Sequence, residues 1–448
     1  MHREREAVAD PGIDERVKSL RPEEIEEAIG KVLDPKASAR FRAYLDSCVH
    51  CALCANACHF FNSHDKDPKY SPVAKVKQTI WEIVRRKGKV GPDFMKLAAR
   101  IAYTECNGCR RCSMYCPFGI DIAFFMMAIR RICHILGLVP QYLQDTVNSH
   151  STTMNQMWVQ QDEWVDTLQW QEDEAGLEYA GARIPLDVEG ADFMYSVIAP
   201  EPKILAQLLA NMAIIAKAAG LNWTMPGTDG WDNSNMAMYS GDFESMARVE
   251  RLHWETALRL KVKKVVMGEC GHAYRGAVYD GPKWLSWKNP PLPMMHAVEF
   301  YYDLLKSGRI KIAKKYDKPV TVQDPCNVVR GRGLGHKLRY VMRELCSDFR
   351  DMTPNHEHNY CCAAGGGVIN CGSPWKRDRV RGNRVKAEQI KATGAEVVVT
   401  PCHNCHSGIE DIIGYYKLGS HVKFVSEILV ECMERPEGPA EVKPLLQR

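Results

Sequence analysis

Residues 48–58 read CVHCALCANAC, and residues 106–116 read CNGCRRCSMYC. Both runs space four thiols as C-x2-C-x2-C-x3-C: Cys48, Cys51, Cys54 and Cys58, then Cys106, Cys109, Cys112 and Cys116. A loop with a thiol at every third residue wraps three corners of a compact cofactor, and the longer last step starts a helix that carries the fourth thiol away. The chain holds 18 cysteines among 448 residues. Its opening, MHREREAVADPGIDERVKSL, is charged throughout and has no apolar core, so it is not a secretory signal. In the reducing compartment this implies, so many thiols point to metal rather than to disulfides.

Two such runs, the second followed by Pro117, have the spacing of a bacterial ferredoxin with two 4Fe-4S clusters, in which the fourth cysteine of each run serves the other cluster. By that exchange one cubane takes Cys48, Cys51, Cys54 and Cys116, and the other takes Cys106, Cys109, Cys112 and Cys58. The competing reading is a zinc-stabilised scaffold, but zinc sites usually pair two C-x2-C knuckles across a longer loop. His59 stands where the first run would carry proline; it removes no ligand, but it bears on the local turn and on the potential of the nearby cluster. Between the runs, AKVKQTIWEIVRRKGK (74–89) sets Val76, Ile80, Ile83 and Val84 at helical spacing, which predicts a small, mostly α-helical module. Cys133, beside His134 on the apolar helix after Pro117, reads as core packing.

Composition excludes several classes of function. With 45% hydrophobic and 25% charged residues the chain is globular, and 448 residues suffice for two to four domains. The net charge of +4 leaves no electrostatic footprint for nucleic acid. The basic run KRDRVRGNRVK (376–386) reads as a solvated helix face, with a docking patch for an acidic partner as the alternative. The longest apolar run, IAFFMMAI (122–129), falls far short of the roughly 20 residues of a membrane span. No Gly-x-Gly-x-x-Gly fingerprint and no phosphate loop supports a nicotinamide, flavin or ATP site, and GRGLG (331–335) is a flexible loop.

From about residue 190, β-rich apolar runs alternate with helical stretches, which predicts α/β units around parallel sheets. KVKKVVMGECGHA (261–273) parallels GAEVVVTPCHNCH (394–406), and HAVEFYYDLL (296–305) parallels FVSEILVECM (424–433), so this region reads as two copies of one unit. The second copy holds Cys326 in VQDPCNVVRGRG, the adjacent pair Cys361 and Cys362 in YCCAAGGG (360–367), and Cys402 and Cys405. The first keeps only Cys270, with Trp231, Asp232 and Asn233 near the place of the pair. Five thiolates converging from strand-end loops suffice for a metal centre; one does not.

The set Cys326, 34 residues, Cys361-Cys362, 39 residues, Cys402-x2-Cys405 resembles the cysteine-rich "CCG" domain of heterodisulfide reductases. Together with the upstream runs and CPFGIDIA (116–123), residues 40–435 resemble the fused catalytic subunit type of that family and the cytoplasmic iron-sulfur subunits of transmembrane redox complexes in sulfate-reducing bacteria. The resemblance implies that Cys326, Cys361, Cys362, Cys402 and Cys405 bind and work through a noncubane 4Fe-4S cluster, two smaller clusters fused at a shared iron and sulfur, which cleaves disulfides. Adjacent thiolates strain against a single tetrahedral metal but reach two neighbouring irons of such an elongated group. Glycines 365 to 367 then clear side chains where backbone passes the cofactor. The departures from the family are Ala363 after the pair and Asn327 where many relatives have histidine. His403 and Asn327 are polar candidates beside the cluster, His403 equally a structural hydrogen-bonder. Cys371 reads as structural, with a place near the cluster as the alternative, and Cys270 with His272 either forms a docking surface or packs.

The expected fold is therefore α+β and multidomain: an N-terminal arm (1–38), an α-helical two-cluster ferredoxin-like domain (39–190), a degenerate CCG-type unit without a cluster (191–318), a CCG unit with the noncubane cluster (319–435) and a C-terminal tail (436–448). The resemblance implies an oxidoreductase subunit active only within a membrane-bound complex, peripheral on the inner face of the cytoplasmic membrane. Electrons pass between an integral-membrane cytochrome b or quinone-interacting subunit, with a multihaem cytochrome c subunit as a further partner, and the noncubane cluster, where a disulfide or trisulfide of a small thiol or thiol protein is reduced. The alternative is a non-catalytic conduit of a quinone-linked dehydrogenase of the glycolate, lactate or glycerol-3-phosphate type.

Overall fold

In the computed structural model, which describes residues 9–33, 39–436 and 438, the chain is helical as far as Glu178 and then alternates helices with two small parallel sheets. The helices Pro11–Ser19 and Pro22–Leu33 open it. Asp10 caps the first, accepting from Ile13 N–H at 3.2 Å, and accepts from Trp375 Nε1 at 3.2 Å, which ties this segment to the far end of the chain. Ile13, Ile25 and Ile29 are buried, so the described part of the expected arm packs into the helical core. Most of the expected tail lies outside the described residues.

The segment between the cysteine runs is helical, as its periodicity predicts, but not a uniform α-helix. Pro72–Val76, Lys77–Trp81 and Glu82–Arg85 follow one another with a π turn in the middle. Val76, Ile80 and Ile83 are buried, whereas Val84 is 46% exposed, because the wider turn rotates later positions off the apolar stripe. The helices Pro92–Thr104 and Ile122–Ile135 pack against it, the latter capped by Asp121, whose side chain accepts from Ala123 N–H.

The two cysteine runs adopt the same backbone. His50 and Ala52 in the first and Gly108 and Arg110 in the second, at matching places in the spacing, all have left-handed φ between 56° and 62°. These turns aim successive thiols inward. Each run then makes a short helical turn at the matching place, Leu53–Ala55 or Arg111–Met114.

Beyond Glu178 the strands β1 (Phe193–Ser196), β2 (Trp223–Thr224), β3 (Lys264–Met267) and β4 (Met294–His296) form a parallel sheet in the order β2-β1-β3-β4. In register, Phe193 faces Trp223 and Lys264, and Val266 faces Met295. A second parallel sheet, β5-β6-β7, joins Val320–Val322, Val397–Val399 and His421–Lys423. Parallel pairing requires crossovers, here the helices Gln207–Ala218, Phe243–Arg259, Gly335–Leu345 and His403–Tyr416 among others. The helices Ala297–Lys306, Gly335–Leu345 and Val425–Cys432 pack between the sheets, so Phe193, Val266, Val320 and Val397 belong to one continuous core. The fold is thus mixed helical with small parallel sheets, and its cysteines lie just past the carboxyl ends of strands: Cys270 after β3, Cys326 after β5, Cys402 after β6.

One residue locks the helical part to both later regions. Arg130, 1% exposed, donates to the carbonyl oxygens of Ala102 (3.0 Å), Cys106 (2.8 Å), Tyr239 (2.9 Å) and Gly366 (2.6 Å). Next to it Gly366, at φ +69°, is pressed against the second cysteine run: a Cβ there would lie 2.2 Å from the Asn107 carbonyl oxygen. The basic run 376–386 is only partly the solvated face that composition suggests. Arg379 and Lys386 are buried, Arg379 pairing with Asp411 and Lys386 Nζ donating to Asn359 Oδ1 at 2.7 Å.

Replacing Arg130 with Leu strips four buried carbonyls of their donor and is expected to cost about 3 kcal/mol or more, read from the urea midpoint. Gly366→Ala is expected to cost about 2 kcal/mol or more through clash and left-handed strain, whereas Gly365→Ala, with nothing within 4 Å of its Cβ, stays within about 1 kcal/mol of the parent.

Candidate metal centre

The first thiol cluster is built by exchange between the two runs. Cys58, at the N-terminus of the His59–Ser63 helix, lines one small cavity with Cys106, Cys109 and Cys112. Cys54 instead lies among Cys48 and Cys116; burial pushes its thiol up to about 11, and the Cys116 and Cys48 thiolates add to the shift. The fold thus sets Cys58 beside three thiols of the second run and Cys54 beside Cys48 and Cys116, with Cys58 also near Cys54. Cys51 is exposed.

Lys75, on the inter-run helix, was not singled out by the sequence, where it is one basic residue in an amphipathic stretch. It is 2% exposed and lines the Cys58 cavity, with Nζ 3.9 Å from Cys58 Sγ and donating to the Glu105 carbonyl. Burial disfavours its ammonium, but the thiolates of Cys58 and Cys106 and the Glu105 carboxylate outweigh burial and raise its pKa. A buried cation of this kind offsets the negative charge of a thiolate-ligated cluster.

The second thiol cluster gathers the five C-terminal cysteines, four of them fully buried. Asp324 anchors the loop of Cys326: Arg339 reaches Asp324 Oδ2 at 2.8 Å and Asp351 at 2.7 Å, and His356 N–H donates to the same Asp324 oxygen at 2.7 Å. The pair arrives on the loop between β5 and β6, and Cys402 and Cys405 open the helix His403–Tyr416. Gly408 on that helix lets it approach the pair, since a Cβ there would meet the Cys362 carbonyl at 2.7 Å. Cys361, Cys362, Cys405 and Cys402 follow one another within hydrogen-bonding reach, and Cys326 feels Cys362 and Cys402 after burial has pushed its thiol up to about 12.

So many buried thiols cannot all ionise beside one another unless metal cations compensate them. Backbone donors already point at the sulfurs: Ala363 N–H to Cys361 (3.3 Å), Ala364 and Gly365 N–H to Cys362, and Gly271 N–H to Cys402. The donor set, all sulfur with oriented amides, suits iron-sulfur chemistry.

The two thiol clusters touch. Cys109 of the second run and Cys361 of the pair lie, with the His59 imidazole, within 4.8 Å of one another. The hydrogen bond from Cys361, then His59 and Arg330 acting against burial, hold the Cys109 thiol well below its ordinary range. Asn107 clips the two loops together, its Nδ2 donating to Ala363 O (2.7 Å) and Gly365 O (3.1 Å) while Oδ1 faces His59 Nε2 at 2.9 Å. With that amide already donating, His59 Nε2 is the donor to Asn107. Arg330 adds a clamp, donating to Cys109 O (2.6 Å), Asn359 O (2.6 Å) and Glu357 O (2.7 Å), and Arg111 donates to His358 O (2.7 Å). Of the three glycines, Gly366 and Gly367 make room for protein, the Asn107 backbone and Tyr239, whereas a Cβ on Gly365 would meet nothing within 4 Å.

The remaining candidates hold the site in place. His403 is buried, its backbone N–H donating to the Glu269 carbonyl (3.0 Å), with Nδ1 2.8 Å from the same oxygen. The Glu269 carboxylate accepts from Val425 N–H (2.9 Å) and Ser426 N–H (2.8 Å), capping a helix that follows β7. Asn327 Nδ2 donates to Tyr239 OH at 3.2 Å. Cys270 is buried 3.2 Å from His272 Nδ1, and a Cβ on the neighbouring Gly271 would lie 3.8 Å from Cys402 Sγ, so this loop packs against the second cluster. Cys371 is 0% exposed, with Sγ 3.6 Å from Gly367 O, and Cys133 is core, as expected. Among the described residues no helix is long and apolar enough to cross a membrane.

Comparison with known proteins agrees with both clusters. A 4Fe-4S dicluster domain matches residues 44–120, and a cysteine-rich domain, CCG, matches residues 320–410. The Hdr-like menaquinol oxidoreductase iron-sulfur subunit 2 of Archaeoglobus fulgidus is 27% identical over 92% of this chain and 84% of its own length. One subunit of the dihydromethanophenazine:CoB–CoM heterodisulfide reductase of Methanosarcina barkeri is 25% identical over 87% of this chain and 94% of its own. The EtfAB:quinone oxidoreductase of Syntrophomonas wolfei is 21% identical over 87% of this chain and 58% of its own. The chain thus carries a 4Fe-4S dicluster domain and, some way downstream, a cysteine-rich CCG domain, and over most of its length it is similar to heterodisulfide reductase-like iron-sulfur subunits.

Proposed function

We propose that this chain is the redox subunit of a membrane-bound complex and carries electrons through two cubane 4Fe-4S clusters to a noncubane centre that reduces a disulfide or trisulfide. Cys48, Cys51, Cys54 and Cys116 hold the first cubane, Cys106, Cys109, Cys112 and Cys58 the second, and Cys326, Cys361, Cys362, Cys402 and Cys405 the noncubane cluster. The observation that carries this reading is the contact of Cys109 with Cys361, a ligand of one centre against a ligand of the next. The domains are residues 39–190, 191–318 and 319–435, the last two being copies of one unit. Both sheets are parallel, and each has a strand running into a cysteine-bearing loop, β3 to Cys270 and β6 to Cys402. The relative named a menaquinol oxidoreductase subunit supports a quinone-reactive partner, which in this reading is an integral-membrane cytochrome b that holds the chain on the inner face of the membrane.

When bound, the noncubane group supplies an iron that takes up a substrate sulfur. The chain's own residues do the rest. Asn107, Arg330 and Arg130 keep the two thiol clusters in contact, so electrons delivered singly reach the same site in succession. The amides of Ala363, Ala364, Gly365 and Gly271 stabilise thiolate charge, and Lys75 offsets charge at the second cubane. The EtfAB:quinone oxidoreductase relative favours a second reading, a conduit that passes electrons on without cleaving a disulfide.

Anaerobically purified protein is expected to hold about 12 irons, and Cys362→Ser is expected to abolish the oxidised-state paramagnetic signal while cubane signals persist. In the complex, turnover of a disulfide with a quinol donor supports the catalytic reading; full cluster reduction with no turnover establishes the conduit. His59→Pro, which restores the ferredoxin-type residue and removes an imidazole beside Cys109, is expected to lower the potential of one cubane by tens of mV in a redox titration and leave the other unmoved.

A further inference from the structure

A cavity of about 670 Å³ lies between the helix Ile122–Ile135, the segment from Met238 to Met246 and the turn from Tyr279 to Trp284. Its size is that of a small-molecule site. None of the five C-terminal cysteines lines it, so it is separate from the thiols assigned to disulfide chemistry. Its walls do reach both centres: Cys106 and Gly108 form part of one side, and on another stands Tyr239, whose hydroxyl accepts from Asn327 next to Cys326.

The lining combines two chemistries. Phe124, Met127, Met238, Phe243 and Trp284 give an apolar surface, with Phe243 and Trp284 in ring contact at 4.7 Å. Seven of the other lining residues are Lys or Arg and two are carboxylates, Asp121 and Asp280. Some of this positive charge is already used: Arg130 on carbonyls, Arg275 on Asp280 at 2.7 Å, Arg131 on Glu244. Among the described residues Lys283 and Arg40 form no ion pair within 4 Å, although the Asp121 carboxylate acts on Arg40 at longer range. Lys283 Nζ sits 3.5 Å from the Tyr279 ring centroid, and Arg40 bonds only the Tyr44 hydroxyl, at 2.8 Å. An uncharged occupant such as a quinone would desolvate these cations and return nothing for it. An anion with an apolar body satisfies both parts of the wall.

We propose that this cavity binds a small organic polyanion, an apolar or aromatic body bearing two or more carboxylate, sulfonate or phosphate groups, held by Lys283 and Arg40 against the second cysteine run. The proposal does not depend on what the noncubane centre reduces. Because Cys106 and Gly108 form part of the wall, occupancy perturbs the cubane behind them.

Calorimetric titration of the iron-loaded chain with 1,5-naphthalenedisulfonate and with benzene-1,3,5-tricarboxylate tests it, with 1,5-naphthalenedimethanol as the neutral counterpart. The expected result is saturable one-site binding of at least one anion and none of the neutral compound. Binding is expected to weaken at least about tenfold in the Lys283→Glu, Arg40→Glu double variant, with a shift in one cubane EPR signal on addition of anion to the parent. Both positions are exposed, and an unchanged iron content and visible spectrum show that the variant has folded. Lys283→Gln with Arg40→Gln gives a milder version of the same loss. Binding equal for charged and neutral compounds, binding untouched by charge reversal, or no saturable binding of either anion overturns the proposal.

Discussion

The structure depends on the docking of one cysteine loop against another. Asn107, inside the second ferredoxin-type run, donates to the backbone of the loop that carries the doubled cysteine, and Gly366 permits an approach that any side chain would block. These contacts are short, buried and directional, so they set not only stability but the separation of the thiol groups on either side. Arg130 secures the same junction from behind by joining four carbonyls from three parts of the chain. A guanidinium suits this task because its donors fan out in a fixed plane.

Electrostatics follow from that junction. Thirteen thiols in two touching groups concentrate negative charge once metallated. The chain answers with cations that have few carboxylate partners close by: Lys75 against Cys58, Arg330 on the Cys109 carbonyl, Arg111 over the Tyr360 ring at 4.2 Å. Oriented amides do the same at shorter range. These cations and amides act against the burial that pushes thiols such as Cys54, Cys106 and Cys326 up, so the balance at each thiol depends on a few nearby donors.

The first α/β region, which keeps a single cysteine of the expected set, supports the second. Glu269 caps the helix Val425–Cys432 across the interface, its carbonyl holds His403, and Gly271 reaches Cys402. Tyr239 and Asn327 complete the contact on the opposite side. The first region thus contributes the Gly271 N–H to a thiol of the second.

Spacing along the chain determined the thirteen cysteines and their division into two runs and a strand-end set, because a loop that wraps a cofactor is a local object whose geometry repeats every three residues. Apolar periodicity determined the inter-run helix, and alternation determined the parallel units. Only the tertiary structure brought Cys109 to Cys361, buried Lys75 and Lys386, and gave Gly366 its role, because these depend on which distant backbone lies opposite. Nothing in the local composition of a basic amphipathic stretch distinguishes the lysine that will meet a thiolate from those that will meet water; that choice is made by long-range packing alone.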